Sequence, residues 1–502
     1  MPVFLDVCLA GLGLYLVKQL VFARASPPLP PGPSGWPLVR NLFDFPSKKA
    51  WLKFADLADQ YGDIFSMSVL GTQTIILNSA KTTSDILDKQ SAICSNRPHL
   101  VMADDLIGWD KGFLFMQYGE RFRQTRKFFH HHLGTRTSLA AFSSVEEEET
   151  RRFLMNVLKS PEDLLDHIRK TAGSIILKIS YGYSVQESND PLVKLANDAM
   201  ENISMVATPG AFLVDILPIL QYLPEWFPGA GFQRDAKRYR QLVVETVTRP
   251  YQFVLDQLAN GTARPSFTTK LLEGAREATA EEEDVIMWSS LSMYLADMIR
   301  QVVSAIYSFF LAMTIYPEVQ KQAQMELDAV IGTDRLPSLD DRDALPYISA
   351  ICKEVLRWYV VTPLAVPHVC TGDIIYNGFL IPKGSYLIPN IWSILHDETT
   401  YPDPEIFRPE RFLGNNPQPD PQNACFGYGR RICPGLHLAE ASIFISVAMS
   451  LSVFKVLRYV ENGVAIIPEV IMQEGTVSHP KPFKCRITPR SSKVEAIIHG
   501  VN

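Results

Sequence analysis

Cys433 is the residue best placed to do chemistry. The stretch around it reads Phe426-Gly427-Tyr428-Gly429-Arg430-Arg431-Ile432-Cys433-Pro434-Gly435. This is a glycine-rich turn presenting one cysteine just before a helix, expected to start near Pro434 and to run through His437-Leu438-Ala439-Glu440. A thiolate near a helix N-terminus is favoured by the helix dipole and by nearby amides. Arg430 and Arg431 add positive charge that favours the same state. Gly429 and Gly435 permit close backbone approach to a flat ligand. A lone thiolate backed by apolar residues suits a soft or borderline metal such as haem iron. The bland alternative is a buried structural cysteine in a chance glycine-rich loop.

The stretch fills every specified position of F-x-x-G-x-R-x-C-x-G, at Phe426, Gly429, Arg431, Cys433 and Gly435. In this it resembles the haem-binding signature of the cytochrome P450 family. The resemblance implies haem b as cofactor, Cys433 as its axial metal ligand, and the other four residues as its binding loop. It covers nearly the whole body of the chain. Glu354-x-x-Arg357 is similar to the family's E-x-x-R motif, and i, i+3 spacing puts both on one helix face where they can pair. Phe407-Arg408-Pro409-Glu410-Arg411-Phe412 resembles the family's P-E-R-F element. Arg411 would complete a structural Glu–Arg–Arg cluster. Haem carries two propionates, so basic groups must meet them. The segment resembling the family's W-x-x-x-R is Phe122-Arg123-Gln124-Thr125-Arg126. Phe122 in place of tryptophan removes one propionate donor. Arg126 remains the propionate candidate, with His368 in Val366-Pro367-His368 and Arg431 beside it. The triplet His130-His131-His132 resembles a metal cluster only on paper, because consecutive helical residues point different ways.

The resemblance departs in the central helix. Family monooxygenases usually carry A/G-G-x-D/E-T-T/S there, an acid and an alcohol that deliver protons. Counting back from Val303-Ser304-Ala305, the matching positions read Asp297-Met298-Ile299-Arg300-Gln301-Val302. Arg300 and Gln301 thus stand at the catalytic positions. One reading lets Gln301 and ordered water relay protons in an ordinary monooxygenase. A second has Arg300 bind a substrate carboxylate, as in haem-thiolate peroxygenases. A third is chemistry without dioxygen cleavage, as in an isomerase or cyclase. A structural alternative pairs Arg300 with Asp297 at i−3. A non-catalytic haem-binding protein is the remaining class. Monooxygenase is the leading reading.

These residues need elements to hold them. Helical periodicity marks Ser47–Tyr61, Glu120–His132, Pro161–Tyr181 and Phe232–Arg249, the last stopping or kinking at Pro250. A long helix is expected from about Glu281 to Ile315, and another from Pro317 to Ile331. Two hairpins are expected, Ile64–Leu70 with Thr72–Leu77 and Asp373–Tyr376 with Phe379–Ile381, plus short apolar runs around Phe483–Ile487. The fold class is therefore mainly α with small peripheral β-sheets, which the resemblance makes the cytochrome P450 fold. Substrate-pocket candidates by family position are His99–Phe115, Met205–Phe212, Val361–Val366 and Thr476-Val477-Ser478. Their apolar character suggests a lipophilic substrate.

The chain of 502 residues is 47% hydrophobic and carries a net charge of −6, which excludes an intrinsically disordered protein. The slight acidic excess argues against a nucleic-acid partner. Seven scattered cysteines with no CxxC pair suit a reducing compartment. Val3 to Phe22 is mostly apolar and about the roughly 20 residues needed to span a bilayer. Ala23-Arg24-Ala25 has the form of a cleavage site, but no positive charge precedes the apolar run. A surface-lying helix is a further alternative. Three regions are expected: 1–25 as membrane anchor, 26–38 as proline-rich hinge, and 39–502 as a single catalytic domain. The positive-inside rule keeps the body cytosolic, and the resemblance implies the endoplasmic reticulum membrane. It also implies a monomer fed with electrons from NADPH through a separate reductase. The wording of the chain looks most like fungal enzymes of secondary metabolism.

Overall fold

The computed structural model describes residues 27–46, 48–186, 189–208, 210–275, 278–295 and 298–499, without the side chains of 298–300. The expected anchor, Asp297 and the side chain of Arg300 therefore lie outside the described residues.

The chain forms helices α1 (Ala50–Tyr61), α2 (Glu120–Leu133), α3 (Ser143–Lys159), α4 (Leu164–Tyr181), α5 (Pro191–Val206) and α6 (Gly231–Ala259). These are followed by α7 (Phe267–Gly274), α8 (Ala280–Leu295), α9 (Met298–Ile315), α10 (Pro317–Val330), α11 (Pro346–Trp358) and α12 (Leu436–Val453). Short helical turns fill many of the connections. The element order is mainly α, as the cytochrome P450 fold requires.

The α12 sequence is apolar on most sides, which suits a helix surrounded by the core or by a membrane. It is also the one described helix long and apolar enough to cross a membrane by itself, and 78% of it is buried inside the body. It packs on α3, α9, α10 and α11. Phe309, Phe310, Phe444 and Met449 fill this first core. A second core lies under α2, α4, α5, α6 and α8, around Trp109, Phe129, Phe267 and Tyr294.

Among the described residues, nine short strands make three small sheets. β1 (Ile64–Val69), β2 (Thr72–Leu77), β6 (Tyr386–Pro389) and β3 (His368–Val369) pair in the order β1-β2-β6-β3. β4 (Ile374–Tyr376) and β5 (Phe379–Ile381) form a hairpin. β7 (Phe454–Glu461) lies between β8 (Val464–Ile466) and β9 (Cys485–Pro489). Asn377 and Gly378, at φ 49° and 81°, make the β4–β5 turn, where both residues need left-handed backbone.

Three expectations change. The helix read as ending or kinking near Pro250 does not stop there and continues to Ala259. Val247, Pro250, Tyr251 and Val254 form a buried stripe, and that packing outweighs the roughly 3 kcal/mol that an interior proline costs. The helix expected from Ser47 starts at Ala50, and the turn Pro161–Asp163 precedes α4 rather than belonging to it. Of the expected central helix, 280–295 and 298–315 are helical, as α8 and α9, and 296–297 lie outside the described residues. Thr279 opens α8, because Glu282 accepts its N–H at 2.8 Å while the Glu282 N–H donates back to its hydroxyl.

The proline run is docked to the body. Pro31 O accepts from the Ser66 N–H at 2.8 Å, and Pro28 O from the Leu380 N–H at 2.7 Å. A Cβ on Gly32 would meet Ser66 O at 1.9 Å, so only glycine lets the strap lie this close.

Candidate active site

The turn before α12 closes on itself, with the Cys433 N–H donating to Phe426 O at 2.8 Å. Gly435 caps α12. Phe426, Gly427, Arg431, Cys433 and Pro434 thereby line one cavity, with about 1250 Å³ free of protein atoms and part of it open to solvent. Gly427, at φ 82°, gives this wall its left-handed step.

Gly429 does not lie in that wall. A Cβ there would meet Leu87 O at 2.3 Å, and its N–H donates to Asp88 Oδ1 at 2.6 Å. Its close approach is to the chain around Leu87. Gly435 is likewise outside the wall.

The cations gather beside Cys433. Arg126 of α2 donates to the Ile432 carbonyl. Arg431 places its guanidinium over the Phe122 ring at 4.0 Å from the centroid. Its nitrogens donate to the carbonyls of Ser95, Phe113 and Met116. Phe122, without an indole N–H, serves as a face for that cation. His368 sits on β3, paired with Leu387 of β6, and its Nδ1 lies 2.7 Å from Cys94 O. A carbonyl can only accept, so Nδ1 carries the proton. Burial, then the charges of Arg97 and Arg431, hold His368 well below the usual imidazole range. The ring is thus neutral, and Nε2 is an acceptor until an anion arrives.

Arg97 was not legible as a site residue. It lies in the same wall, and its Nη1 donates to Val366 O at 2.7 Å and Pro367 O at 2.9 Å, while Nε has no partner. Burial pushes its pKa down to about 9. Burial, then Arg97 and Arg126, push Arg431 down to about 8. Arg431 is buried, Arg97 and Arg126 are partly buried and their charges bear on Arg431, and among the described residues no carboxylate pairs with the three. Such a cluster needs an anion. With a thiol and an apolar chamber beside it, it fits a flat macrocycle bearing two carboxylates.

The rest of the wall is mostly apolar. Trp109, Phe113, Leu114 and Phe115 come from the first pocket candidate, and Thr362, Ala365 and Val366 from the third. Met200 and Ile203 of α5 enter instead of Met205–Phe212. Leu291, Ser292 and Leu295 of α8 had no local signal. Thr476-Val477-Ser478 is not in the wall, but Ser304 of α9 donates to Ser478 O at 2.6 Å and braces it. Gln301 lies in the wall, half-buried. His130, His131 and His132 form no metal-holding group among the described residues.

Behind the cavity, Glu354 takes Arg357 through two bonds of 2.7 and 2.9 Å, and Arg411 Nε at 3.1 Å. All three are buried. The surplus positive charge is spread over the carbonyls of Leu395, Pro402 and Pro404.

The cytochrome P450 family profile matches residues 30–487. The chain belongs to the cytochrome P450 family. It is 48% identical over 95% of its length to cytochrome P450 monooxygenase 208 of Postia placenta, of which the match covers 93%. It is 46% identical over 99% of its length to cytochrome P450 monooxygenase claR of Ampulloclitocybe clavipes, covering 92% of that protein. Cytochrome P450 monooxygenase CLM2 of Gibberella zeae is 41% identical over 94% of this chain. The chain is an oxidoreductase of the monooxygenase class, and the P450 family holds haem iron through a thiolate. These relatives do not favour the alternative without normal dioxygen activation.

Proposed function

We propose that this P450 oxidises a lipophilic small molecule in a fungal secondary-metabolite pathway, with Cys433 as the iron ligand. The observation that carries the reading is Arg97, Arg431 and His368 in the wall around Cys433, with Arg126 bonded to the Ile432 carbonyl next to it. Haem bound there would supply one-electron and dioxygen chemistry at iron, with the thiolate pushing electron density toward it. Arg97, Arg126 and, once protonated, His368 would meet the propionates. Arg431 would hold the loop through its carbonyl contacts, and Gly429 and Gly435 would shape it. Phe426 would close the wall behind the thiolate.

Gln301 is the polar side chain of α9 in an otherwise apolar stretch of wall. In this reading it holds water and passes protons where an acid and an alcohol usually do. Arg300 would answer an acid group on the substrate or pair with Asp297. Glu354, Arg357 and Arg411 keep the framework under the loop rigid. Electrons would come from NADPH through a separate reductase, as the P450 family generally uses. Residues 1–25 would anchor a monomer in the endoplasmic reticulum membrane. Residues 26–38 would act as a strap, and 39–502 as one catalytic domain facing the cytosol.

The ligand assignment has a direct test. The ferrous–carbonyl spectrum of the purified protein is expected to show the thiolate-ligated band, and Cys433→Ala to lose it. A retained band in that variant would overturn the assignment. Labelled dioxygen supplied with reductase and NADPH is expected to appear in the product.

A further inference from the structure

The stretch between Arg97 and Trp109 joins two parts of the cavity wall. Its helical segment Val101–Ile107 is tied to elements far away in the chain. Asp215 Oδ1, on the short helix Leu213–Ile216, accepts the Met102 N–H at 2.8 Å. Arg240 of α6 donates to the carbonyls of Leu106 at 2.9 Å and Asp105 at 2.7 Å. Trp109 Nε1 donates to Asn202 Oδ1 of α5 at 2.9 Å. Beside these ties stands one imidazole. His99 Nδ1 is 3.1 Å from Asp104 Oδ2, and Nε2 is 3.1 Å from Asp105 Oδ2. Asp104 is buried; its Oδ2 also accepts the Leu100 N–H at 2.9 Å, and its Oδ1 has no partner. The His99 side chain is 58% exposed, so it exchanges protons with solvent.

We propose that His99, Asp104, Asp105 and Asp215 form a proton-sensitive latch that closes this wall and sets how readily small molecules enter the cavity. His99 and Asp215 are positioning residues, acting through Val101–Ile107. The proposal rests on the reading that the cavity is where the haem and substrate sit.

The sign follows from the groups. An imidazolium between two carboxylates attracts both, and a neutral ring leaves them uncompensated. Burial pushes Asp104 up to about 6 and also raises Asp215. As pH rises through about 6, Asp104 ionises against the cost of burial. A charged ring answers that carboxylate and a neutral ring does not, so the latch is tight on the acidic side and loose on the basic side.

The neighbours do not reverse this. Asp110 adds further negative charge near Asp104. Lys111 is turned to Asp284 at 3.1 Å. Arg240 is a tether independent of pH, committed to carbonyls. Pro218–Tyr222 brings no charged side chain, and Lys194, Asp198 and Glu201 of α5 face solvent. Tyr386 of β6 is the titratable group across from Asp215.

Two measurements on the haem-loaded enzyme test the latch at about pH 6 and about pH 8. One is hydrogen exchange of peptides spanning 99–108, corrected for intrinsic rates. The other is the rate of carbon monoxide recombination after flash photolysis, since that probe is uncharged. In the natural enzyme, protection is expected to fall several-fold and recombination to accelerate several-fold from the lower to the higher pH. His99→Lys, which keeps its charge, should stay slow and protected at both. His99→Gln and Asp215→Ala should be fast at both. Equal protection at the two pH values in the natural enzyme, or the same fall in His99→Lys, would overturn the latch. A pH-dependent protection with a constant recombination rate would overturn its role in admission. The absorption of the carbonyl adduct reports the haem reading separately from both.

Discussion

Arginine at position 97 shows how much a single partly buried cation can demand. A guanidinium whose Nε is buried without a partner stays there only if something anionic answers it. Arg97→Leu is expected to weaken haem retention by about ten- to a hundredfold, the loss of a charge-assisted hydrogen bond worth about 1.5–3 kcal/mol. The haem-to-protein ratio after gel filtration checks this, with circular dichroism confirming the fold. Arg97→Lys should retain more haem than Arg97→Leu. Gln301→Ala tests the proton route differently. Turnover is expected to slow, and more of the NADPH consumed should end as peroxide than in the natural enzyme. An unchanged ratio of product to NADPH would remove Gln301 from that route. The Cys433 loop was legible because its residues lie within ten positions of one another. Arg97 was not, because its partners at Val366 and Pro367 lie 269 and 270 positions away.

Between elements, the Glu354–Arg357–Arg411 cluster ties α11 to the turn Pro409–Phe412. Helical spacing predicts the first pair, but the third member required the fold to bring Arg411 back. Glu354→Ala would leave two buried guanidinium groups without their carboxylate. The expected loss is about 3–5 kcal/mol of stability, read as a lowered denaturation midpoint. Pro250 is the opposite lesson. Local chemistry ends a helix there, yet α6 continues because its buried stripe spans the proline. The cavity face of α8 was invisible for a related reason. Its residues are apolar on most sides, so periodicity does not say which of them meet the cavity and which the core.

For the whole molecule, a buried acid between α3 and α12 gives folding a pH dependence. Ser442 Oγ donates to both Glu146 oxygens at 2.8 and 2.9 Å, and burial pushes Glu146 up to about 8. In the unfolded chain the same carboxyl ionises near its ordinary value of about 4.3. Stability from this group is therefore full below that value, falls as pH rises, and stops falling near pH 8. The thermal midpoint is expected to decline over that window, and Glu146→Gln should flatten the decline. The anchor is tested at the same scale. A chain lacking residues 1–25 is expected to leave the membrane fraction and to keep the ferrous–carbonyl band, because the proline strap from Pro28 onward is bonded to the body.

The amino-acid sequence by itself determined the features written locally: the cysteine loop, the i, i+3 acid–base pair, the hairpin turns and the helix-rich composition. Each depends on neighbours a few positions apart, where backbone geometry leaves little choice. Only the tertiary structure decided which cations surround the cavity, which faces of α5 and α8 line it, that Gly429 serves the chain around Leu87, and that His99 meets its acids beside Asp215. Those outcomes depend on contacts between distant segments. Burial then sets the charge state of each group, and of these contacts only those of His99 with Asp104 and Asp105 lie within one short window of the chain.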